Sequence, residues 1–193
     1  MNATEEISDH ELMLAVRDGD TERLGELFER HHRPLFGFFV RQTSNPAASE
    51  DLVQQVFYRI LKYRHTYRDE GAFRAWAYQL ARRALVDHYR KSSGSATTFD
   101  EPEQINEVAD QRPHAAAQAE HSDHLSLLNK AISLMPDEQR ELLTLHRFQQ
   151  LSHEELAGMH GCSTGAMKVR VHRALNSLKE IFFRLQASPG QAR

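Results

Sequence analysis

Between two blocks of regular apolar periodicity lies a stretch that has none: SSGSATTFDEPEQINEVADQRPHAAAQAEHSDH, residues 92–124. Ser, Thr, Asp, Glu and Pro dominate it, and Phe99, Ile105 and Val108 fall at no helical spacing. Such a segment cannot bury enough surface to offset the entropy of ordering it. It therefore divides the 193-residue chain into two pieces, each long enough for a small domain. We read 8–92 as a first helical domain and 93–122 as an acidic flexible linker. A second helical domain follows at 123–186, and 187–193 is expected to be a disordered tail.

Strand-like alternation is scarce and helix signals are frequent, so the fold class predicted is all-α. Ser8 and Glu11 have capping-box spacing and open a short helix with Leu12 and Val16 inward. Asp20 or Thr21 starts the next, with a stripe of Leu24, Leu27, Phe28, Leu35, Phe36 and Phe39. TSNPAAS breaks it. A third helix, SEDLVQQVFYRILKY, places Leu52, Val53, Val56, Phe57, Ile60 and Leu61 on one face, and a fourth begins near Gly71. Beyond the linker, LSLLNKAISLM stops before Pro136, which suits the first turn of PDEQRELLTLHRF.

The net charge of −3 hides a strong pattern. Residues 1–23 carry −5, 24–95 carry +5, 96–125 carry −6 and 126–193 carry +3. Two cationic blocks thus flank one acidic segment, and cationic surfaces gain from releasing phosphate counterions. No run approaches the ~20 apolar residues that cross a bilayer. The N-terminus is acidic and has no apolar signal core, so a cytoplasmic location is expected. Cys162 is the single cysteine, which excludes an internal disulfide.

Near the C-terminus, HEELAGMHGCSTGAMKVRVHRAL carries the sharpest local signal. Ser152 and Glu155 form a second capping box, Gly161 fits a left-handed helix end, and Ser163 or Thr164 can cap the last helix. In that helix Met167, Val171, Ala174, Leu175, Leu178 and Phe182 share one face. Lys168, Val169, His172 and Arg173 project from the other, with Arg170 on the flank. Leu156, Ala157 and Met159 join the same core, and Cys162 falls where a tight turn wants a small buried residue. The geometry suits a helix-turn-helix whose second helix enters a major groove. A plain helical hairpin with a solvated cationic face fits the same spacing.

FRAWAYQLARRALVDHYRK interleaves Phe73, Trp76, Tyr78 and Tyr89 with Arg74, Arg82, Arg83, Arg90 and Lys91. Aromatics offer stacking faces to unpaired bases while cations follow phosphates. Phe73 fits a core position. Periodicity alone does not assign Trp76, Tyr78 or Tyr89. The third helix keeps a polar face of Asp51, Gln54, Gln55, Tyr58, Arg59 and Lys62, either solvated or turned to a partner helix. His31 and His32 fit a partly exposed helix face. Among the 12 histidines, His121 with His124 and His160 near Cys162 lack further ligands at zinc spacing, so no metal site is expected. No nucleophile elbow, phosphate loop or HExxH signature is present, and neither catalysis nor a cofactor is expected.

SEDLVQQVFYRIL, FRAWAYQLARRALVDHYRK, LMPDEQRELLTLHRFQQLSHEELA and STGAMKVRVHRAL occur in that order around an acidic spacer. In this the chain resembles bacterial RNA polymerase sigma factors of the extracytoplasmic-function class (group IV of the sigma-70 family). The resemblance runs from about residue 10 to 185. It implies a sigma-2-like domain, then a sigma-4-like helix-turn-helix domain. Together they would form a non-enzymatic promoter-specificity subunit that binds core polymerase and directs it to −35 and −10 elements, helping to melt the latter. Asp51, Gln54, Gln55, Arg59 and Lys62 would dock on the β′ clamp helices. Trp76, Tyr78, Arg82, Arg83, Asp87 and Arg90, with the loop after the fourth helix, would capture the unwound −10 strand. Ser163, Thr164, Lys168, Arg170, His172 and Arg173 would read the −35 duplex. The first helices of the second domain would meet the β flap, and the linker would thread the active-site cleft and RNA exit channel. An anti-sigma factor is the expected regulator, with no obligate homo-oligomer. The alternative is a stand-alone helix-turn-helix transcriptional regulator, which would want a dimerisation helix that the sequence does not display.

Overall fold

The computed structural model describes residues 7–68, 72–94 and 115–187. Every regular element among them is helical, and they fall into two compact units, one up to Glu101 and one from Pro102. The first holds α1 (Asp9–Asp18), α2 (Leu24–Thr43), α3 (Pro46–Tyr63) and α4 (Phe73–Gly94). The second holds α5 (Ala115–Ser133), α6 (Asp137–Leu143), a π turn (Thr144–Phe148), α7 (His153–His160) and α8 (Thr164–Ala187).

Local chemistry sets most boundaries in the first unit. Ser8 and Glu11 form the reciprocal capping box, with the Ser8 N–H donating to the Glu11 carboxylate at 2.8 Å. Gly19 ends α1 in the left-handed region at φ +117°. Thr21–Arg23 is a separate 3-10 turn, so α2 begins at Leu24 rather than at Asp20 or Thr21. Asn45 caps α3 through Ala48 N–H at 3.0 Å, with Pro46 at the first helical position.

α3 is the central element, packed between α2 and α4. Leu52, Val53, Val56, Phe57 and Ile60 are all buried, while Leu61 is only partly so. From α2, Leu27, Leu35 and Phe39 are buried as the stripe predicts, but Phe28 is 37% exposed. It packs edge-on to Phe57 and stacks on His32. Phe38 and Val40, off that stripe, are buried as well, because α2 meets a neighbour on two sides.

In the second unit α8 packs against α5, α6 and α7. Met135, Leu143 and Ala174 form one buried cluster, extended by Leu175, Leu178 and Ile181. Three expectations need correction. α5 begins at Ala115, inside the stretch read as linker, as its Ala-rich opening favours helix. Pro136 occupies the N-cap of α6 rather than its first turn. The helix read through Phe148 widens into the π turn, where Gln149 N–H reaches the Thr144 carbonyl at 3.1 Å. Gln150 then reverses the chain at φ +54°. Residues 95–114 of the expected linker lie outside the described residues, as does the tail beyond Ala187.

Candidate nucleic-acid interfaces

α7 and α8 form the helix-turn-helix pair. The Ser152–Glu155 capping box sets the start of α7, and Gly161 at φ +60° ends it. Cys162 N–H donates back to the Ala157 carbonyl at 3.0 Å, closing the turn. Ser163 then accepts from Ala166 N–H at 3.2 Å and caps α8. Leu156, Ala157, Met167, Val171 and Ala174 are buried between the two helices and their neighbours. Cys162 is only half-buried, so the turn does not demand a sealed small residue there.

The opposite face of α8 is open. Lys168, Val169, Arg170, His172 and Arg173 are all exposed, with Thr164 half-buried at the N-terminus. His172 shares a 3.1 Å contact with Asn176 one turn on. Sequence spacing thus located this face correctly, because a helix that buries every third or fourth residue leaves the rest to solvent.

The first unit carries a concavity of about 410 Å3. Tyr63, Tyr67, Trp76, Gln79 and Arg83 are among the residues lining it. Its size falls within the range of small-molecule sites, roughly 300–1,000 Å3. Half-buried Trp76 packs edge-on against Tyr67 with ring centroids 5.2 Å apart. Tyr67 is held in place by His10, whose Nδ1 lies 2.8 Å from the phenol oxygen. Gln79 and Arg83 follow Trp76 at three and seven residues, so one face of α4 supplies all three. Tyr63 and Tyr67 were missed from sequence because they sit at and beyond the end of α3, where no period operates. The loop after α4, also expected at this site, lies outside the described residues; the described lining comes from α4 and from residues 63–68.

Two residues grouped with Trp76 on sequence grounds point elsewhere. Tyr78 is 2% exposed, with its ring edge-on to Phe38 at 5.5 Å. Burial pushes its hydroxyl well above the ordinary range. It is a core residue and offers no face to a base. Asp87 accepts from Arg59 of α3 at 2.7 Å and from Arg90 at 3.0 Å. The Arg59 hydrogen bond first, helped by the charges of Arg59, Arg90 and Lys91, outweighs desolvation and holds its carboxyl below the usual range. Both carboxylate oxygens are engaged, so Asp87 braces α4 on α3. Tyr89 braces α4 on α2, donating to the Gln42 carbonyl at 2.6 Å. Arg82 is half-buried; Arg83 and Arg90 are exposed.

On α3, Asp51, Gln54, Gln55 and Lys62 are exposed along with Tyr58. Arg59 departs from that face to meet Asp87 and keeps 21% of its side chain in solvent. Among the described residues no three His, Cys, Asp or Glu side chains converge as metal ligands, and no helix is long and apolar enough to cross a membrane. The side chain of His121 lies outside the described residues.

The two units match known families in order. Residues 27–94 match Sigma-70 region 2, and residues 125–178 match Sigma-70, region 4. Fold and surfaces together define a two-domain transcription initiation factor of the sigma-70 type. SigF of Caulobacter vibrioides, an ECF RNA polymerase sigma factor, is 33% identical over 170 residues, covering 88% of this chain and 90% of its own. The chain belongs to the extracytoplasmic-function sigma factors of the sigma-70 family. It is accordingly a promoter-specificity subunit of RNA polymerase, without catalytic activity, rather than a stand-alone regulator.

Two solved structures share its fold. CnrH, in complex with the cytosolic domain of CnrY, is 20% identical with a TM-score of 0.67, covering 91% of this chain and 97% of its own. The sigma factor RpoE of Bartonella quintana, in complex with the anti-sigma factor NepR, is 24% identical with a TM-score of 0.65. It covers 81% of this chain and 94% of its own.

Proposed function

We propose that the two units read two states of one promoter. The exposed cationic face of α8 carries the reading: Lys168, Arg170, His172 and Arg173 project together from a helix whose other face is locked by Met167, Val171 and Ala174. Placed in a major groove, it presents donors to guanine acceptors and phosphates of the −35 duplex, with Ser163 and Thr164 at the leading end. The domain bounds assigned to this division are 8–92 and 123–186, with the helical stretch from Ala115 leading into the second.

In the first unit the hollow beside Trp76 suits a base removed from its stack. Its aromatic walls supply stacking, Gln79 supplies hydrogen bonds, and Arg83 supplies charge for the adjoining phosphate. Arg82 and Arg90 extend the cationic track along α4, while Tyr78 and Asp87 hold the helix in position. The polar stripe of α3, led by Asp51, Gln54, Gln55 and Lys62, is the surface for the β′ clamp helices. Arg59 supports it from behind through Asp87. The early helices of the second unit meet the β flap, and the acidic segment between the units runs where RNA phosphates later pass.

A cytoplasmic setting and control by an anti-sigma factor complete the reading. The anti-sigma partner of the RpoE fold relative supports the latter. The test is transcription in vitro with core polymerase and mapped start sites. Start-site selection that needs both a −35 and a −10 element supports the division. Failure to join core polymerase, or joining without start-site choice, overturns it.

A further inference from the structure

Two neighbouring residues tie α1 to two different parts of the first unit. Asp9 accepts from Arg30 of α2 at 3.0 Å and meets the His31 Nε2 at 2.7 Å. Arg30 also donates to the Ile7 carbonyl at 2.8 Å, so the start of α1 is fixed on α2. Adjacent residues of a helix point about 100° apart. His10 turns away from that contact to the segment ahead of α4, where its Nδ1 lies 2.8 Å from the Tyr67 hydroxyl oxygen. Arg17 follows two turns later on the same face of α1, and its guanidinium reaches the Tyr67 carbonyl at 3.5 Å. One face of α1 thus meets Tyr67 at its phenol and at its main chain.

Tyr67 is 3% exposed, and its ring lies edge-on to Phe73 at 6.5 Å and to Trp76 at 5.2 Å. It stands just past the 3-10 turn Arg64–Thr66 with an extended backbone, so no helical ladder sets the direction of its side chain. The orientation of the ring then depends on what it touches, and a buried tyrosine is directed above all by the hydrogen bond at its polar tip. The hydroxyl is the atom furthest from the backbone, so a contact there controls the tilt of the whole ring. Any tilt carries over to Trp76, which rests against it. A base taken out of its stack gains most from a wall already in place, because nothing then has to be ordered as it binds.

We propose that His10 is a positioning residue for capture of the unpaired −10 strand: through the Tyr67 hydroxyl it fixes the aromatic wall against which Trp76 stands. The inference rests on the reading of the hollow beside Trp76 as the seat of an unstacked base. It gives α1 a part in strand capture that is exercised entirely through Tyr67. The Asp9 contacts with Arg30 and His31 supply the fixed end from which His10 acts.

The experiment uses holoenzyme assembled from the full chain and core polymerase. The probe is a fluorescein-labelled single strand carrying the −10 region of a promoter found by start-site mapping, and anisotropy gives its affinity. His10→Leu should weaken strand binding about three- to tenfold, the worth of one neutral hydrogen bond. His10→Asn keeps a polar group where Nδ1 stands and should restore affinity to within about twofold of the unaltered chain. Tyr67→Phe keeps the ring without the hydroxyl. It should weaken binding as His10→Leu does, and combining the two should add nothing further. A second measurement uses the free chain, in which Trp76 is the sole tryptophan. Acrylamide quenching of its emission should rise in His10→Leu and in Tyr67→Phe and return to the original level in His10→Asn. The proposal is overturned if His10→Leu binds the strand as the unaltered chain does, or if His10→Asn loses as much affinity as His10→Leu. Additive losses in the combined variant, or unchanged quenching in His10→Leu, overturn it too. The parent reading is judged by Trp76→Ala holoenzyme with the same probe. Unchanged affinity there rejects the hollow as a base site and the proposal with it, whereas loss there beside an unaffected His10→Leu rejects the proposal alone.

Discussion

Arg59 on α3 and Asp87 on α4, 28 residues apart, meet at 2.7 Å. The contact ties α3, the helix proposed to face polymerase, to α4, the helix proposed to face the melted strand. Asp87→Asn should therefore disturb both activities, lowering affinity for core polymerase and slowing open-complex formation. Paired with Arg59→Gln, the combined loss should be smaller than the sum of the two single losses. The carboxyl of Asp87 titrates below the ordinary aspartate range, so its stabilising effect is present in full above that range. The effect disappears as pH falls through the folded-state value. The difference in melting temperature between the unaltered chain and Asp87→Asn should shrink accordingly on acidification. A difference that stays constant down to about pH 2 would remove the ion pair as its cause.

Trp76 and Tyr78 stand two residues apart and should behave in opposite ways. Tyr78→Ala empties a core position against Phe38 and should cost about 3–5 kcal/mol of stability, seen in denaturant unfolding. Trp76→Ala removes a half-buried wall of the hollow and its ring contacts with Tyr67 and Phe73, so it should cost less stability than Tyr78→Ala. It should keep polymerase binding and reduce permanganate reactivity of −10 thymines. Normal reactivity would make Trp76 a packing residue.

On α8, Lys168→Ala with Arg173→Ala removes two exposed cations and touches none of the core. Transcription from a −35-dependent promoter should fall roughly ten- to a hundredfold, the value of one or two lost groove contacts. Association with core polymerase should persist. Equal loss of both would indicate a folding defect.

Asp51→Arg with Gln54→Ala reverses the charge at the start of the polar stripe on α3. Both side chains are exposed, so melting temperature should change little. Co-purification with core polymerase should fall. Unchanged recovery would move the clamp contact to another face.

Capping boxes at Ser8 and Ser152, the reversal at Gly161 and the buried face of Met167, Val171 and Ala174 were all legible in the sequence. Each depends on residues within about four positions, where helical geometry alone fixes who meets whom. The exposed face of α8 followed from the same arithmetic. Tertiary structure decided what hangs on the angle between helices. It turned Tyr78 inward and left Trp76 at the edge of a hollow that Tyr63 and Tyr67 complete from outside α4. It set Asp87 against Arg59 and joined Tyr89 to Gln42 across 47 residues. The contact that sets His10 against Tyr67 belongs to the same class. Local periodicity orders residues around one axis, but only packing fixes the orientation of that axis against its neighbours.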